Sequence, residues 1–236
     1  MATRTSTETL SWIKKHPYRL LLAILTLALL LRILALLSLK GGIYYDYLLW
    51  DERLYHLWAT HIASGTFKST SSFEFPPFPA YLFALIYKLF GPHASYLRIL
   101  NLALGVLTCY FMFLVGKEMS DQRAGLLSAL IAALYQPFIF YSIVPLKTSL
   151  AVFLFAVCSY LFLISLRKPS LFYCFLLGVS SGFLINTRPN YLTVVPFLFL
   201  AIIWTTRCSI KEVFKFPLFF IVGTVLAISP GAFLKQ

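Results

Sequence analysis

The chemistry-bearing residues are scarce and unevenly placed. The chain holds eight acids, Glu8, Asp46, Asp51, Glu52, Glu74, Glu118, Asp121 and Glu212, and four of them fall in the polar stretch from Lys40 to Pro79. Asp51 and Glu52 stand side by side in WDERLYHLWATHI, and Glu74 sits between two phenylalanines in FEFPPFP. A carboxylate placed at a helix start either satisfies free N–H groups as a cap or waits as a proton acceptor. Both uses are open for Asp51 on the residues alone, and Glu52 is the second candidate base. Flanking aromatic rings desolvate an acid, which singles out Glu74 from an ordinary solvated loop residue.

Three cations stand out as groups that could meet an anion. Lys147 lies in the turn VPLKTS, and Arg188 in the turn NTRPN. Each is read either as a cation placed to hold an anionic group or as a helix-end residue snorkelling to the interface. Arg32 interrupts the apolar run LLLAILTLALLLRILALLSL. A mid-span arginine costs about 2.5–3.5 kcal/mol on insertion scales, so it is expected to reach the outer cavity or to pair within the bundle. Tyr55, one turn beyond Asp51, is grouped with the substrate-binding candidates.

His56 and His61 are five apart, off the spacing of a helical metal pair. No HExxH, Walker A, GxGxxG or serine-nucleophile pattern occurs. The cofactor therefore stays unknown: a divalent metal is open, and the residues require none.

These residues must be positioned by membrane helices. Of 236 residues, 60% are hydrophobic and 12% charged, against about 45–50% and 25% in soluble domains. Nucleic acid is excluded as a partner despite the net charge of +12, because the basic residues form no stripe. The four cysteines form no CxxC pair and read as apolar fillers.

The expected architecture is all-α, a polytopic transmembrane bundle of about seven spans with short interfacial helices in the first outer loop. The spans are Leu20–Leu39, Tyr96–Gly116, Gly125–Ile143, Ser149–Leu166, Leu171–Ile185, Tyr191–Thr205 and Phe216–Phe233. Pro79–Phe90 is apolar but too short to cross. Leu54, Leu57, Trp58, His61 and Ile62 form one expected interfacial stripe. Lysines and arginines are denser in the loops on the N-terminal side, which places residues 1–19 in the cytoplasm and the 40–95 loop outside.

The order DERLYHLWATHIASG, FEFPPFPAYLFALIYKLFG, LRILNLALGVL, YSIVPLKTSL and FLINTRPNYL resembles the N-terminal half of the polytopic GT-C glycosyltransferases. It is most similar to the protein O-mannosyltransferase and aminoarabinose transferase group. The resemblance implies that 20–236 is a GT-C-like transmembrane domain, truncated at its C-terminus relative to the family. It implies inverting transfer of a sugar from a polyprenyl-phosphate carrier to an acceptor glycan, lipid or protein on the outer face of a bacterial plasma membrane. Asp51 would be the base, and Glu74 would help build the donor or metal site. Phe75 stands where some relatives carry a basic residue after that acid. A second membrane chain is an expected partner for such a short form. The alternative is a non-catalytic lipid-binding or scaffold fragment of such an enzyme. A transporter ranks lower, because no acid lies inside a span.

Overall fold

The computed structural model describes residues 17–42, 45, 47–67, 76–205 and 210–233. Among them every regular element is helical. In chain order these are α1 (Pro17–Leu39), α2 (Trp50–Ala63), α3 (Phe78–Phe90), α4 (Ala94–Met119), α5 (Gln122–Leu134) and α6 (Gln136–Ile143). They continue as α7 (Thr148–Arg167), α8 (Leu171–Thr187), a 3₁₀ turn at Pro189–Val194, α9 (Val195–Thr205) and α10 (Ile210–Phe233). Glu74 lies outside the described residues, as do Met1–His16 and Cys208.

Among the described residues three helices, α1, α4 and α7, are long and apolar enough to cross a membrane, and α5 with α6 makes a fourth span if the bent pair counts as one. The expected Gly125–Ile143 span is therefore broken, with a 56° bend. The break falls at Tyr135, whose backbone is extended, and Pro137 follows in the first turn of α6. Proline lacks the N–H and obstructs the preceding turn, which explains a sharp kink at this place. The expected Leu171–Ile185 and Tyr191–Thr205 spans fall on shorter apolar helices, and the described apolar stretch of α10 is Phe214–Ser229, so among the described residues length and apolarity give three or four spans where seven were expected. The helix α8, for example, has 17 residues, roughly 25 Å at 1.5 Å per residue.

α1 buries little of its surface, and Leu22, Leu30, Leu34 and Leu37 point outward. In a bilayer such a face meets lipid. The tightest seam joins α8 and α10. Gly178 and Gly182 form a GxxxG pair on α8, facing Phe220, Thr224 and Ala227 of α10 so closely that a Cβ at Gly178 would run into the Phe220 carbonyl. Small residues let two backbones approach where lipid supplies no hydrophobic drive. Asn186 adds a hydrogen bond from Nδ2 to the Ala227 carbonyl (2.9 Å).

Leu150, Leu154, Leu177, Ile202 and Phe220 make the largest core, between α7, α8, α9 and α10. A second core holds Tyr55 and Ala59 of α2, Ala80, Phe83 and Tyr87 of α3, and Leu97 of α4. It docks the two short helices of the 40–95 loop onto the bundle. The buried face of α2 is centred on Tyr55 and Ala59, with Trp58 and Ile62 beside them, while Leu57 and His61 are exposed. The expected stripe is thus rotated: packing against α3 selects the Tyr55 side.

Candidate active site

α2 begins at Trp50 with Leu49 as its N-cap, and no side chain caps it. Asp51 is therefore not the cap. It lies in the first turn with Glu52, where a negative charge suits the helix dipole. Trp50 itself has φ +41° and is 91% exposed. Holding a large residue in the left-handed region costs about 1–3 kcal/mol. The Glu52 N–H donates to the Leu49 carbonyl (2.9 Å), which closes this first turn.

One turn on from Asp51, Tyr55 is fully buried. Its hydroxyl donates to the Pro76 carbonyl (3.3 Å) and accepts from Lys147 Nζ (3.1 Å). The ammonium also stands 5.2 Å from the centroid of the same ring. Phe83 meets that ring edge-on, so α3 fixes it from the opposite side. Burial pushes the Tyr55 hydroxyl well above its ordinary range; the Asp51 charge adds to this and Arg188 opposes it. Burial lowers Lys147, with Asp51 pulling it up and Arg188 pushing it down. Asp51 and Arg188 thus each lie within electrostatic reach of Tyr55 and of Lys147. Among the described residues Asp51 accepts no hydrogen bond and forms no ion pair, which leaves its carboxylate uncommitted.

Lys147 and Arg188 are delivered by helix ends. Lys147 is the N-cap residue of α7, and Arg188 the C-cap residue of α8. The guanidinium of Arg188 donates from Nη2 to Thr148 Oγ1 (2.9 Å), tying the two ends together. The turn before Lys147 is held by Asn101, whose Nδ2 donates to the Val144 (2.6 Å) and Leu146 (3.0 Å) carbonyls.

Glu52 faces a different set of groups. Burial pushes its carboxyl up, opposed by a hydrogen bond at the Leu49 backbone and by the Arg98 charge. Arg98 is 2% exposed; its Nη2 donates to the Tyr45 carbonyl (2.7 Å), and its guanidinium lies 4.2 Å from the Tyr45 ring centroid. On the same face His56 Nδ1 shares a short hydrogen bond with Tyr87 Oη (2.6 Å). Burial lowers His56, and His93 adds to the effect.

Arg32 joins neither set. It is wholly buried between α1 and α4, donating from Nη1 to the Ala28 carbonyl (3.0 Å) and contacting Cys109 Sγ (3.7 Å). Among the described residues no three His, Cys, Asp or Glu side chains converge in a metal-binding group. Sequence reasoning passed over Arg98 and Asn101. Their signal was the polar pair three residues apart in the apolar stretch LRILN.

A family model described as dolichyl-phosphate-mannose-protein mannosyltransferase matches residues 74–232, and the chain belongs to that GT-C glycosyltransferase family. The match begins at Glu74, so α2 with Asp51 lies ahead of it. The crystal structure of the Archaeoglobus fulgidus oligosaccharyltransferase in its apo form is similar, with a TM-score of 0.64 at 17% identity. The similarity covers 96% of this chain and 34% of that one, so the chain spans about a third of that protein's length. At that identity the likeness establishes the fold alone. No curated protein matches the sequence.

Proposed function

We propose that the protein transfers a sugar, with inversion, from a polyprenyl-phosphate donor to a hydroxyl-bearing glycan, lipid or protein on the outer face of the cell membrane. The N-terminus is cytoplasmic in this reading, and the chain acts as the N-terminal transmembrane part of such an enzyme. The single observation that carries it is the junction at which Lys147 donates to Tyr55, one turn from Asp51 on α2, with Arg188 tied to Thr148 beside Lys147.

Each residue has a defined task. The acceptor oxygen attacks the anomeric carbon from the side opposite the phosphate, and the carbon–oxygen bond to phosphate breaks. Asp51 takes the acceptor's hydroxyl proton, a role worth about 10²–10⁴-fold. The departing lipid phosphate keeps the bonding electrons, and Lys147 and Arg188 meet its charge through charge-assisted hydrogen bonds. Tyr55 holds the Lys147 ammonium in place. A phosphate leaving group needs no general acid, so one carboxylate suffices.

The test is transfer in lipid nanodiscs, with a radiolabelled mannosyl polyprenyl phosphate as donor and a membrane-extract acceptor fraction. Incorporation that depends on Lys147 and Arg188 supports the reading. No incorporation from mannosyl, glucosyl or arabinosyl donors overturns it.

A further inference from the structure

A cavity of about 300 Å³ lies against one face of α7. Phe155, Ser159 and Leu163 line it from that helix, Leu184 from α8, Tyr191 from the 3₁₀ turn and Met119 from the end of α4. Its walls are mostly apolar, and polar side chains of α7 on this face are already engaged. The Ser159 hydroxyl donates to the Phe155 carbonyl (2.8 Å), and the Cys158 thiol to Ser180 Oγ (3.3 Å). A sugar or a phosphate buried there would lose its water without replacement. The cavity suits hydrocarbon, and the group that fixes its occupant must lie outside it.

Arg188 stands at one end. Its N–H donates to the carbonyl of Leu184, one turn before it on α8 (2.8 Å), and its carbonyl accepts from the N–H of Tyr191, one turn after it (3.1 Å). Both of those neighbours line the cavity. The Arg188 guanidinium donates to Thr148 Oγ1 (2.9 Å), and Phe155 lies two turns further along α7 from Thr148. Phe155 and Tyr191 pack ring to ring, 5.5 Å between centroids. Three elements therefore lead from Arg188 to the same end of the cavity. From Phe155 to Leu163 the cavity follows α7 for roughly 12 Å at 1.5 Å per residue. Met119 at its far end is exposed, so a longer chain can leave there for the bilayer. The volume is at the small end of ligand pockets, about 300–1,000 Å³, and admits one chain segment. We propose that this cavity holds the apolar chain of a single-chain isoprenoid phosphate, its phosphate on Arg188 and its nearest chain segment between α7 and the 3₁₀ turn. The phosphate rests on the transfer reading; the cavity and its link to Arg188 do not.

The probe is a polyprenyl phosphate with a diazirine in the chain segment nearest the phosphate. It is photo-crosslinked to the full chain in nanodiscs and mapped by peptide mass spectrometry. Label is expected on residues 155–163 and 191–198, and excess unlabelled polyprenyl phosphate removes it. The matching polyprenol, which has no phosphate, labels them about tenfold less, as the loss of a charge-assisted hydrogen bond implies. Ser159→Phe fills the cavity from a partly exposed position and lowers labelling by about tenfold, equivalent to the burial of two methylene groups. Equal labelling by the polyprenol, or by a diazirine-bearing phosphatidylcholine, assigns the cavity to bulk lipid and overturns the proposal. Unchanged labelling of Ser159→Phe overturns it too. The polyprenol comparison uses the unaltered protein, so it decides the matter even if the variant does not fold. Labelling as expected without sugar transfer sinks the transfer reading alone; transfer with the label elsewhere sinks this proposal alone.

Discussion

α2 carries two acids on adjacent positions and gives them opposite settings. Asp51 stacks one turn before Tyr55, and Glu52 one turn before His56. A step of one residue turns a helix by about 100°, so the two pairs cannot share surroundings. Asp51 looks toward Lys147 and Arg188, cations brought by the ends of α7 and α8. Glu52 looks toward Arg98, already engaged by the Tyr45 carbonyl and ring. The first acid keeps its oxygens uncommitted beside positive charge; the second is desolvated and pushed toward its neutral form. Neighbours in sequence take different surroundings because the helix phase separates them.

The comparison can be broken at several strengths. Asp51→Asn should lower transfer by about 10²–10⁴-fold, the span of general-base roles, with thermal melting unchanged. Lys147→Met and Arg188→Met should each weaken donor use by about 10–100-fold, read as kcat/KM. This corresponds to the charge-assisted hydrogen bonds lost, about 1.5–3 kcal/mol each. Gly178→Leu strikes neither face of α2. It forces the α8–α10 seam apart and should cost about 1–3 kcal/mol of stability, seen as a lower melting temperature.

The smallest effect is a pH signature on the Glu52 face. His56 titrates below its ordinary 6.5 because burial disfavours its charged form. The unfolded chain therefore binds more protons just below pH 6.5, and stability rises with pH through that window and is lost as pH falls. His56→Gln should flatten this slope in a melting series, while Asp51→Asn should leave it intact. A slope that survives His56→Gln would assign it to another group.

Much of this was legible in the residues. The apolar runs mark α1, α4 and α7 directly, because an uninterrupted helix of bilayer length needs only length and composition. The α5–α6 break was not legible as such. The run from Gly125 to Ile143 has the right length, and nothing in its periodicity separates a straight span from one bent at Tyr135. Lys147 and Arg188 stood out because polar turns between apolar runs are conspicuous. Arg98 and Asn101 did not, since a cation and an amide near a helix start read as topology signals. Their partners are backbone carbonyls of Tyr45, Val144 and Leu146, and carbonyls are invisible in a side-chain pattern. Arg32 announced itself by its cost, but whether it reached outward depended on the Ala28 carbonyl and Cys109.

The central claim is that Asp51 and Glu52 do different work. The direct measurement is the transfer rate of Asp51→Asn and Glu52→Gln in one nanodisc preparation at saturating donor, each checked for folding by melting temperature. The account predicts that Asp51→Asn falls by at least about 10²-fold, while Glu52→Gln stays within a few-fold of the unaltered protein. Equal losses, or a larger loss at Glu52, would contradict it.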